Sequence, residues 1–303
     1  MQKIVIVGAG AMGCLFAARL SLAGAAVTLV DVDQGRLAVL AGAGVSIHDD
    51  RGAQTAPVAA ALAAEVTGPA DLVMMMTKAQ HSAAAIASVA HLAGTGAYAL
   101  TLQNGLGNAE ALAAHFGADR VLMGVTDWPA DFTAPNHVDV HGEGHIWLGS
   151  MTQAGQDAAQ QAVALLNTAR MNADFDADVA AAIWEKAAFN GALNALATLL
   201  RVPVGDLDRA EGRRLAHAVA DETAAIAAAH GVGMNRDRLR HKIDFALTHH
   251  KAHLPSMLQD RLAGRTTEIE AINGAIVAAA AAKGLTAPVT QALADLIRMG
   301  EPG

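Results

Sequence analysis

Three polar side chains recur at steps of four within an apolar stretch, WEKAAFNGALN, at residues 184–194. They are Lys186, Asn190 and Asn194. Because residues at i, i+4 and i+8 stack on one face of an α-helix, the ammonium and the two amides are predicted to form one polar stripe. An ammonium beside a carbonyl oxygen stabilises developing negative charge and can donate its proton. The alternative is a lysine that merely extends from a buried helix to solvent.

A glycine-rich turn near the start of the chain lies between an apolar strand pattern and a helix of small residues. Its sequence is GAGAMG, residues 8–13, which matches G-x-G-x-x-G. In that motif the first glycine allows a tight turn, the second lets the backbone approach a pyrophosphate, and the third lets helix and strand pack closely. The start of the helix presents N–H groups to the anion. A turn that is merely rich in glycine is the alternative. The residues predicted to bind a dinucleotide are Gly8, Gly10, Ala11, Met12 and Gly13.

An acidic residue, Asp31, ends the strand that follows this helix. Its carboxylate can accept hydrogen bonds from both hydroxyls of an adenosine ribose, and its charge repels a 2′-phosphate. The sequence therefore favours NAD over NADP, but Arg36 could turn toward a phosphate, so both cofactors stay open. Cys14 lies just inside the helix, where the dipole could lower a thiol pKa; a packed small residue is the favoured interpretation.

Strand and helix patterns alternate in the first half of the chain, and helix patterns alone occur in the second. After an opening β-α-β unit, strands are predicted at 71–77, 97–103 and 120–126, and a hairpin near the sheet edge at 137–149. Helices are predicted at 178–200, 209–230, 236–250, 267–283 and 288–299. Thr267 and Glu270 are expected to form a capping box. We therefore expect an α/β fold, with a Rossmann-type doubly wound parallel sheet over 1–176 and an all-helical domain over 177–303.

The bulk composition narrows the possible partners. The 303 residues suffice for two cores, and a net charge of −8 with 3% aromatic residues provides no basic, base-stacking surface for nucleic acid. The longest apolar run, at 275–282, is far shorter than the roughly 20 residues of a membrane span. A single cysteine suits a reducing compartment. We expect a cytoplasmic protein without nucleic-acid or membrane partners, and a homodimer on general grounds.

Other polar residues occur where ligands of an open parallel sheet collect, beyond the carboxyl ends of its strands. Lys78 in TKAQ and Asn104 in QNGLG occupy such positions. By themselves they are typical of a solvated lysine and a turn. Further along, PSMLQD contains Ser256, and TEIEAING contains Glu268, which the capping box leaves for another role.

Taken in order along the chain, these motifs resemble those of the ketopantoate reductases, also called 2-dehydropantoate 2-reductases. The resemblance covers nearly the whole chain, and the helix with its lysine and two asparagines, joined to PSMLQD and TEI, is its most specific part. It implies an NAD(P)H-dependent oxidoreductase of pantothenate biosynthesis that transfers hydride to the keto group of 2-dehydropantoate. The substrate would be a small 2-oxo acid, bound in a cleft between the two domains.

The resemblance also implies roles for single residues. Lys186 matches the family's lysine that protonates the nascent alkoxide, and Glu268 matches a glutamate near that lysine and the nicotinamide ribose. Asn190 and Asn194 match substrate-binding asparagines, and Ser256 matches a serine that binds the substrate carboxylate.

Two further residues, Lys78 and Asn104, match residues beside the nicotinamide end of the cofactor, where Asn104 also borders the substrate. Glu268 is counted with them as cofactor-binding. All three positions therefore concern the reacting end of the cofactor and not its adenosine end.

Departures from the family pattern leave cofactor and substrate open. Many members have an arginine after the second strand for the 2′-phosphate of NADP, where this chain has Asp31 and Asp33. Val204 and His253 stand where some members have asparagine. The segment TDWPADFTAPN lacks the small residues that usually follow the fifth strand, and its Trp128 or Pro129 could reshape the pocket.

Two alternative functions therefore stay open. One is an NAD-dependent D-2-hydroxyacid dehydrogenase that acts on another branched 2-oxo acid. The other is a nucleotide-sensing protein without turnover, against which the intact set of polar residues speaks. His249, His250 and His253 have spacings compatible with a metal on a helix, but no carboxylate or thiol set accompanies them, so no metal site is predicted.

Overall fold

Two compact units make up the part of the chain that the structure, a computed structural model, describes, namely residues 1–301. The first unit contains Met1–Gln103 and Asn108–Val179. The second contains Asn104–Gly107 and the chain from Ala180 onward. A short segment therefore belongs with the second unit although its neighbours in sequence on both sides belong with the first.

The first unit is built on two sheets. Its strands are β1 (Lys3–Val7), β2 (Ala26–Val30), β3 (Val45–Asp49), β4 (Gly52–Ala56), β5 (Ala59–Ala61), β6 (Leu72–Met75), β7 (Tyr98–Thr101), β8 (Val121–Thr126), β9 (Asp131–Ala134), β10 (His137–Asp139), β11 (Ile146–Ser150) and β12 (Ala173–Phe175). The larger sheet has the order β12-β11-β8-β7-β6-β1-β2-β5, and the smaller has the order β4-β3-β10-β9. The larger sheet is parallel from β8 to β5, and β11 runs antiparallel to β8.

Helices cover the larger sheet on both faces. They are α1 (Ala11–Leu22), α2 (Gln34–Ala43), α3 (Ser82–Val89), α4 (Asn108–Phe116) and α5 (Gln156–Thr168). Alternate residues of a strand enter different cores: Ile4 and Ile6 of β1 belong to one buried cluster, and Val5 and Val7 to another. Strands buried on both faces explain why the sequence shows continuous apolar runs here. The predicted α/β class with a parallel sheet is confirmed.

The predicted hairpin at 137–149 is wrong. β10 pairs with β3 and β9 in the smaller sheet, whereas β11 pairs with β8 and β12 in the larger one. The chain crosses between the sheets close to Trp128, since a Cβ on Gly144 would lie 2.3 Å from the Trp128 Cα. Alternating polarity identifies a strand with one buried face, but it does not say which strand is the partner.

The second unit is helical. Its helices are α6 (Val179–Leu200), α7 (Ala210–Ala229), α8 (Arg236–His249), α9 (Ser256–Leu262), α10 (Ala275–Ala282) and α11 (Pro288–Met299), with a π-helical turn at Glu270–Gly274 before α10. Four predicted helices begin and end within one residue of these bounds. The fifth, predicted from 267, begins with the π-helical turn instead, and α9 was missed. No helix within residues 1–301 is long and apolar enough to cross a membrane.

Candidate functional site

The glycine turn between β1 and α1 has the close packing that its motif predicts. Gly8 has a φ of +103°, and a Cβ there would lie 2.7 Å from the backbone nitrogen of Thr77. A Cβ on Gly13 would lie 1.9 Å from the carbonyl oxygen of Gly8. By contrast, a Cβ on Gly10 would meet no atom of the described chain within 4 Å. Gly8 and Gly13 are therefore required for packing, whereas Gly10 leaves an open approach to the start of α1.

The start of α1 fits the phosphates of a dinucleotide. Gly10 is the N-cap of this helix, and in the described structure no side chain caps it. The first N–H groups of a helix have no partner within the helix, so they can bind an anion, which the helix dipole also favours. The turn therefore has both the space and the donors that a pyrophosphate needs.

The carboxylate of Asp31 fastens the end of β2 to the glycine turn. One oxygen, Oδ2, accepts a hydrogen bond from the N–H of Ala9 at 2.7 Å, and Oδ1 accepts from the N–H groups of Val32 and Asp33 at 2.8 and 3.1 Å. A carboxylate offers about four acceptor positions. Asp31 is thus held in place by three backbone groups and still has acceptor capacity for a ribose hydroxyl.

Arg36, which the sequence left open as a phosphate ligand, lies beside the same turn. Its Nη1 donates to the carbonyl oxygen of Ala9 at 3.2 Å, and its guanidinium carbon lies 5.4 Å from the centre of the Phe132 ring. The backbone N–H of Arg36 donates to Asp33, which caps α2. The guanidinium is therefore anchored near Asp31, not extended into solvent.

Cys14 is a packing residue. It is fully buried, and its thiol donates to the carbonyl oxygen of Ala9 at 3.5 Å. Burial raises the pKa of the Cys14 thiol to about 12, an effect that the charge of Arg36 opposes and that of Asp31 reinforces. Desolvation is the largest cause of this shift, and the favoured interpretation of a packed small residue is confirmed.

The loop after β6 is tied to the end of β7 by a residue that sequence reasoning missed. The side-chain amide of Gln103 donates to the carbonyl oxygen of Thr77 at 2.6 Å and to the hydroxyl of Ser82 at 2.7 Å. Lys78, which follows Thr77, is exposed at this edge of the sheet. The signal was the glutamine that begins the QNG turn, at a strand end where an amide can bridge two loops.

Asn104 and Glu268 come together in the second unit. The Nδ2 atom of Asn104 donates to Oε2 of Glu268 at 3.2 Å. Next along the loop, Gly105 has a φ of +91°, and a Cβ there would lie 2.0 Å from the carbonyl oxygen of Ala271. That same oxygen accepts a hydrogen bond from the N–H of Leu106 at 3.0 Å. The loop is therefore fastened to the π-helical turn by its backbone as well as by its asparagine.

The polar stripe lies on one helix, as its spacing indicated. Lys186, Asn190 and Asn194 all belong to α6, so their steps of four place them along one face. Lys186 and Asn190 are half-buried, and Asn194 is buried. Ser256 is the first residue of α9 and is exposed. What these side chains bind stays a prediction.

The expected capping box at Thr267 and Glu270 is wrong. The hydroxyl and the N–H of Thr267 both donate to Glu301, at 2.6 and 3.2 Å, whereas Glu270 accepts two bonds from Arg298 at 2.6 and 2.8 Å. The guanidinium of Arg298 also lowers the pKa of the Glu270 carboxyl. A charged partner on α11 therefore competes successfully for the glutamate that would otherwise cap the helix.

Val204 and Trp128, where the sequence departs from the family pattern, are both buried but belong to different units. Val204 is buried in the core of the second unit, and its N–H donates to the carbonyl oxygen of His253 at 3.0 Å. Trp128 is buried in the core of the first unit, where its indole N–H donates to the carbonyl oxygen of Met171 at 2.8 Å. Packing and this hydrogen bond hold the ring of Trp128 in the core, and an effect of the 126–136 segment on a substrate pocket stays a prediction.

Comparisons with known proteins cover nearly the whole chain. Residues 4–153 match the family model described as Ketopantoate reductase PanE/ApbA, and residues 178–301 match Ketopantoate reductase PanE/ApbA C terminal. The 2-dehydropantoate 2-reductase of Halobacterium salinarum is 31% identical over 302 residues, 99% of each chain. That of Streptococcus pyogenes serotype M6 is 30% identical over 300 residues, 98% of this chain and 97% of the relative.

Solved structures with the same fold include a dehydrogenase and a reductase. A ternary structure of D-mandelate dehydrogenase with NADH and anilino(oxo)acetate has a TM-score of 0.93 at 26% identity, covering 99% of this chain and 98% of the other. The 2-dehydropantoate 2-reductase from Geobacter metallireducens GS-15 has a TM-score of 0.88 at 32% identity, covering 98% and 99%. The comparisons agree with the glycine turn in supporting a nicotinamide cofactor.

Proposed function

We propose that this protein reduces 2-dehydropantoate to pantoate. The chain belongs to the ketopantoate reductase family of NAD(P)H-dependent oxidoreductases. Relatives of that name match it from end to end at 30 and 31% identity. The observation that carries the proposal is the stripe of Lys186, Asn190 and Asn194 on one face of α6, in a chain that also has an open glycine turn for a dinucleotide.

In the proposed reaction Lys186 is the proton donor. When bound, the reduced nicotinamide supplies the hydride. The ammonium of Lys186 stabilises the negative charge that develops on the substrate oxygen and then gives that oxygen a proton. Each of these two effects typically contributes about 10²- to 10³-fold to the rate. The half-buried setting of Lys186 on an alanine-rich helix reduces competition from water for this proton.

The other polar residues of the second unit position the reactants. Asn190 and Asn194 can hold the hydroxyl and carboxylate ends of the substrate, and Ser256 can donate to the carboxylate. Glu268 is assigned to the nicotinamide ribose and to the lysine. The hydrogen bond from Asn104 orients its carboxylate and supports that assignment.

The first unit is proposed to bind NAD in preference to NADP. Residues 8–13 bind the pyrophosphate, Asp31 binds the hydroxyls of the adenosine ribose, and Lys78 lies toward the nicotinamide end. The three backbone N–H groups that hold Asp31 keep a negative charge where a 2′-phosphate would have to bind. A positive charge near Asp31 would by itself favour NADP, but the bond of the Arg36 guanidinium to Ala9 and its contact with Phe132 support a role in packing instead.

A second candidate function is an NAD-dependent D-2-hydroxyacid dehydrogenase that acts on another branched 2-oxo acid. The specific support is the similarity to a D-mandelate dehydrogenase whose solved structure contains NADH and a 2-oxo acid derivative. Burial of Val204, at a position where some family members have a substrate-binding asparagine, also favours this candidate.

A substrate panel with NADH and NADPH distinguishes these candidates. Rates would be measured for 2-dehydropantoate, branched aliphatic 2-oxo acids and aromatic 2-oxo acids with each cofactor. The proposal expects the highest kcat/KM for 2-dehydropantoate with NADH. A higher kcat/KM for another 2-oxo acid would replace it with the second candidate. If no 2-oxo acid is reduced with either cofactor, both candidates are rejected in favour of a nucleotide-binding protein without turnover.

A further inference from the structure

The π-helical turn at Glu270–Gly274 carries a fully buried asparagine, Asn273. Its Nδ2 atom donates to the backbone carbonyl oxygen of Gly191 at 3.0 Å. Gly191 lies in the middle of α6, one residue after Asn190 and five after Lys186. A side chain from the turn that follows Glu268 is therefore bonded to the backbone of the helix that carries the polar stripe.

The packing around Gly191 is close. A Cβ at this position would lie 3.3 Å from Cδ1 of Ile276 and 3.6 Å from both polar atoms of the Asn273 amide. A glycine inside a helix costs about 1 kcal/mol relative to alanine. The atom that such a Cβ would crowd is on α10, and the Asn273 amide packs against Gly191 at ordinary contact distance.

A contribution to stability does not by itself explain why residue 273 is an asparagine. Its Oδ1 atom is buried and has no hydrogen-bond partner within the part of the chain that the structure describes. A buried polar atom without a partner costs about 1–3 kcal/mol, and an aliphatic side chain of similar size would avoid that cost. Local violations of packing rules of this kind concentrate at functional sites, as π-helical turns do.

The π-helical turn also binds the loop that contains Asn104, the residue that donates to Glu268. The carbonyl oxygen of Ala271 accepts from the N–H of Leu106, and Asn104 donates to Glu268 itself. One turn of five residues thus fastens the Asn104 loop through Ala271 and the centre of α6 through Asn273. The turn therefore contacts both α6 and the Asn104 loop, and it begins two residues after Glu268.

We propose that Asn273 is a positioning residue, whose amide sets α6, and with it Lys186 and Asn190, relative to Glu268. This inference rests on the proposed function, in which those residues handle the substrate. Misplacement of a reacting group by about 1 Å can cost roughly 10²-fold in rate, so a small shift of α6 would slow the reaction without unfolding the protein.

The test compares Asn273→Leu with Thr290→Val. Thr290 is also fully buried, and its hydroxyl donates to Glu222 at 2.7 Å, on helices that carry none of the proposed site residues. For Asn273→Leu we expect kcat to fall about 10-fold or more while Tm is unchanged or raised and the Kd for NADH changes less than about 2-fold. For Thr290→Val we expect kcat within about 2-fold of the unmutated protein. A kcat for Asn273→Leu within 2-fold of the unmutated protein would overturn the inference.

Two further measurements keep the inference testable. If Asn273→Leu does not fold, Asn273→Ala removes the same hydrogen bond without adding bulk: we expect a folded protein with kcat lowered several-fold, and an unchanged kcat would count against the inference. If the unmutated protein reduces no 2-oxo acid, the proposed function fails by itself. Hydrogen exchange of residues 186–198 then decides on Asn273: faster exchange in Asn273→Leu but not in Thr290→Val supports its contact with α6, and equal exchange refutes it.

Discussion

The Nδ2 atom of Asn104 donates a hydrogen bond to Oε2 of Glu268 over 3.2 Å, joining residues 164 positions apart in the sequence. In the proposed reaction this bond orients the carboxylate beside the nicotinamide ribose. Hydrogen bonds to charged groups contribute about 1.5–3 kcal/mol, so Asn104→Ala should lower kcat/KM roughly 10- to 100-fold. Steady-state kinetics and a thermal melt on the same preparation would test this. A kcat/KM equal to that of the unmutated protein, with an unchanged Tm, would show that the bond is dispensable.

Asp31 should control the choice between NADH and NADPH. Asp31→Asn removes the charge that repels a 2′-phosphate and keeps one oxygen to accept backbone bonds, so we expect the ratio of kcat/KM for NADH to that for NADPH to fall about 10-fold or more. Asp33→Asn is the control, since Asp33 caps α2 through the N–H of Arg36. It should change stability by about 1 kcal/mol or less and leave the ratio within 2-fold. An equal shift in both variants would mean that overall charge, not Asp31, sets the preference.

Gly10 and Gly13 of the glycine turn should respond differently to replacement by alanine. A Cβ on Gly13 would overlap the carbonyl oxygen of Gly8 at 1.9 Å, so Gly13→Ala should lower the free energy of unfolding by about 3 kcal/mol. Gly10 has a φ of −76° and open space around it, so Gly10→Ala should fold normally but bind NADH roughly 10-fold more weakly, a loss of about 1.4 kcal/mol. Thermal melts and fluorescence titration with NADH measure both effects. Undiminished NADH binding by Gly10→Ala would remove this turn from the cofactor site.

Cys14 should make stability fall at high pH. Its pKa in the folded protein, about 12, is raised from the ordinary value of 9.0, so the neutral thiol is favoured by folding. Below pH 9 both states keep the proton and this contribution is complete; between pH 9 and 12 the unfolded state loses its proton first, so the free energy of unfolding declines. Cys14→Ala should therefore show a shallower decline over this range in denaturant titrations. Parallel curves for the two proteins would contradict the assignment.

Much of the fold could be predicted from the sequence because the relevant signals are local. The helices of the second unit have clear punctuation, such as the glycines after His230 and the proline that begins α11. The glycine turn could be placed because its neighbouring strand and helix patterns are short-range as well. Steps of four along α6 likewise placed Lys186, Asn190 and Asn194 on one face without any knowledge of tertiary structure.

What could not be predicted depends on contacts between distant segments. The capping box predicted for Thr267 and Glu270 was based on a sound local pattern. In the structure, however, Glu301 binds Thr267 and Arg298 binds Glu270, both from the C-terminal end of the described chain. The partners of β10 and β11 depended in the same way on how the sheets assemble. No spacing in the sequence indicates that Asn104 meets Glu268, or that Asn273 meets Gly191.

The role of Lys186 is the central claim, and the turnover number of Lys186→Met tests it most directly. Methionine keeps the apolar stem and removes the ammonium; Lys242→Met, at a lysine 3.9 Å from Glu185, is the matched control. We predict that Lys186→Met lowers kcat for reduction of a 2-oxo acid by about 10³-fold or more, with the Kd for NADH within 2-fold, and that Lys242→Met has kcat close to that of the unmutated protein. A Lys186→Met protein that reduces the substrate within 10-fold of the unmutated rate would contradict the proposed role.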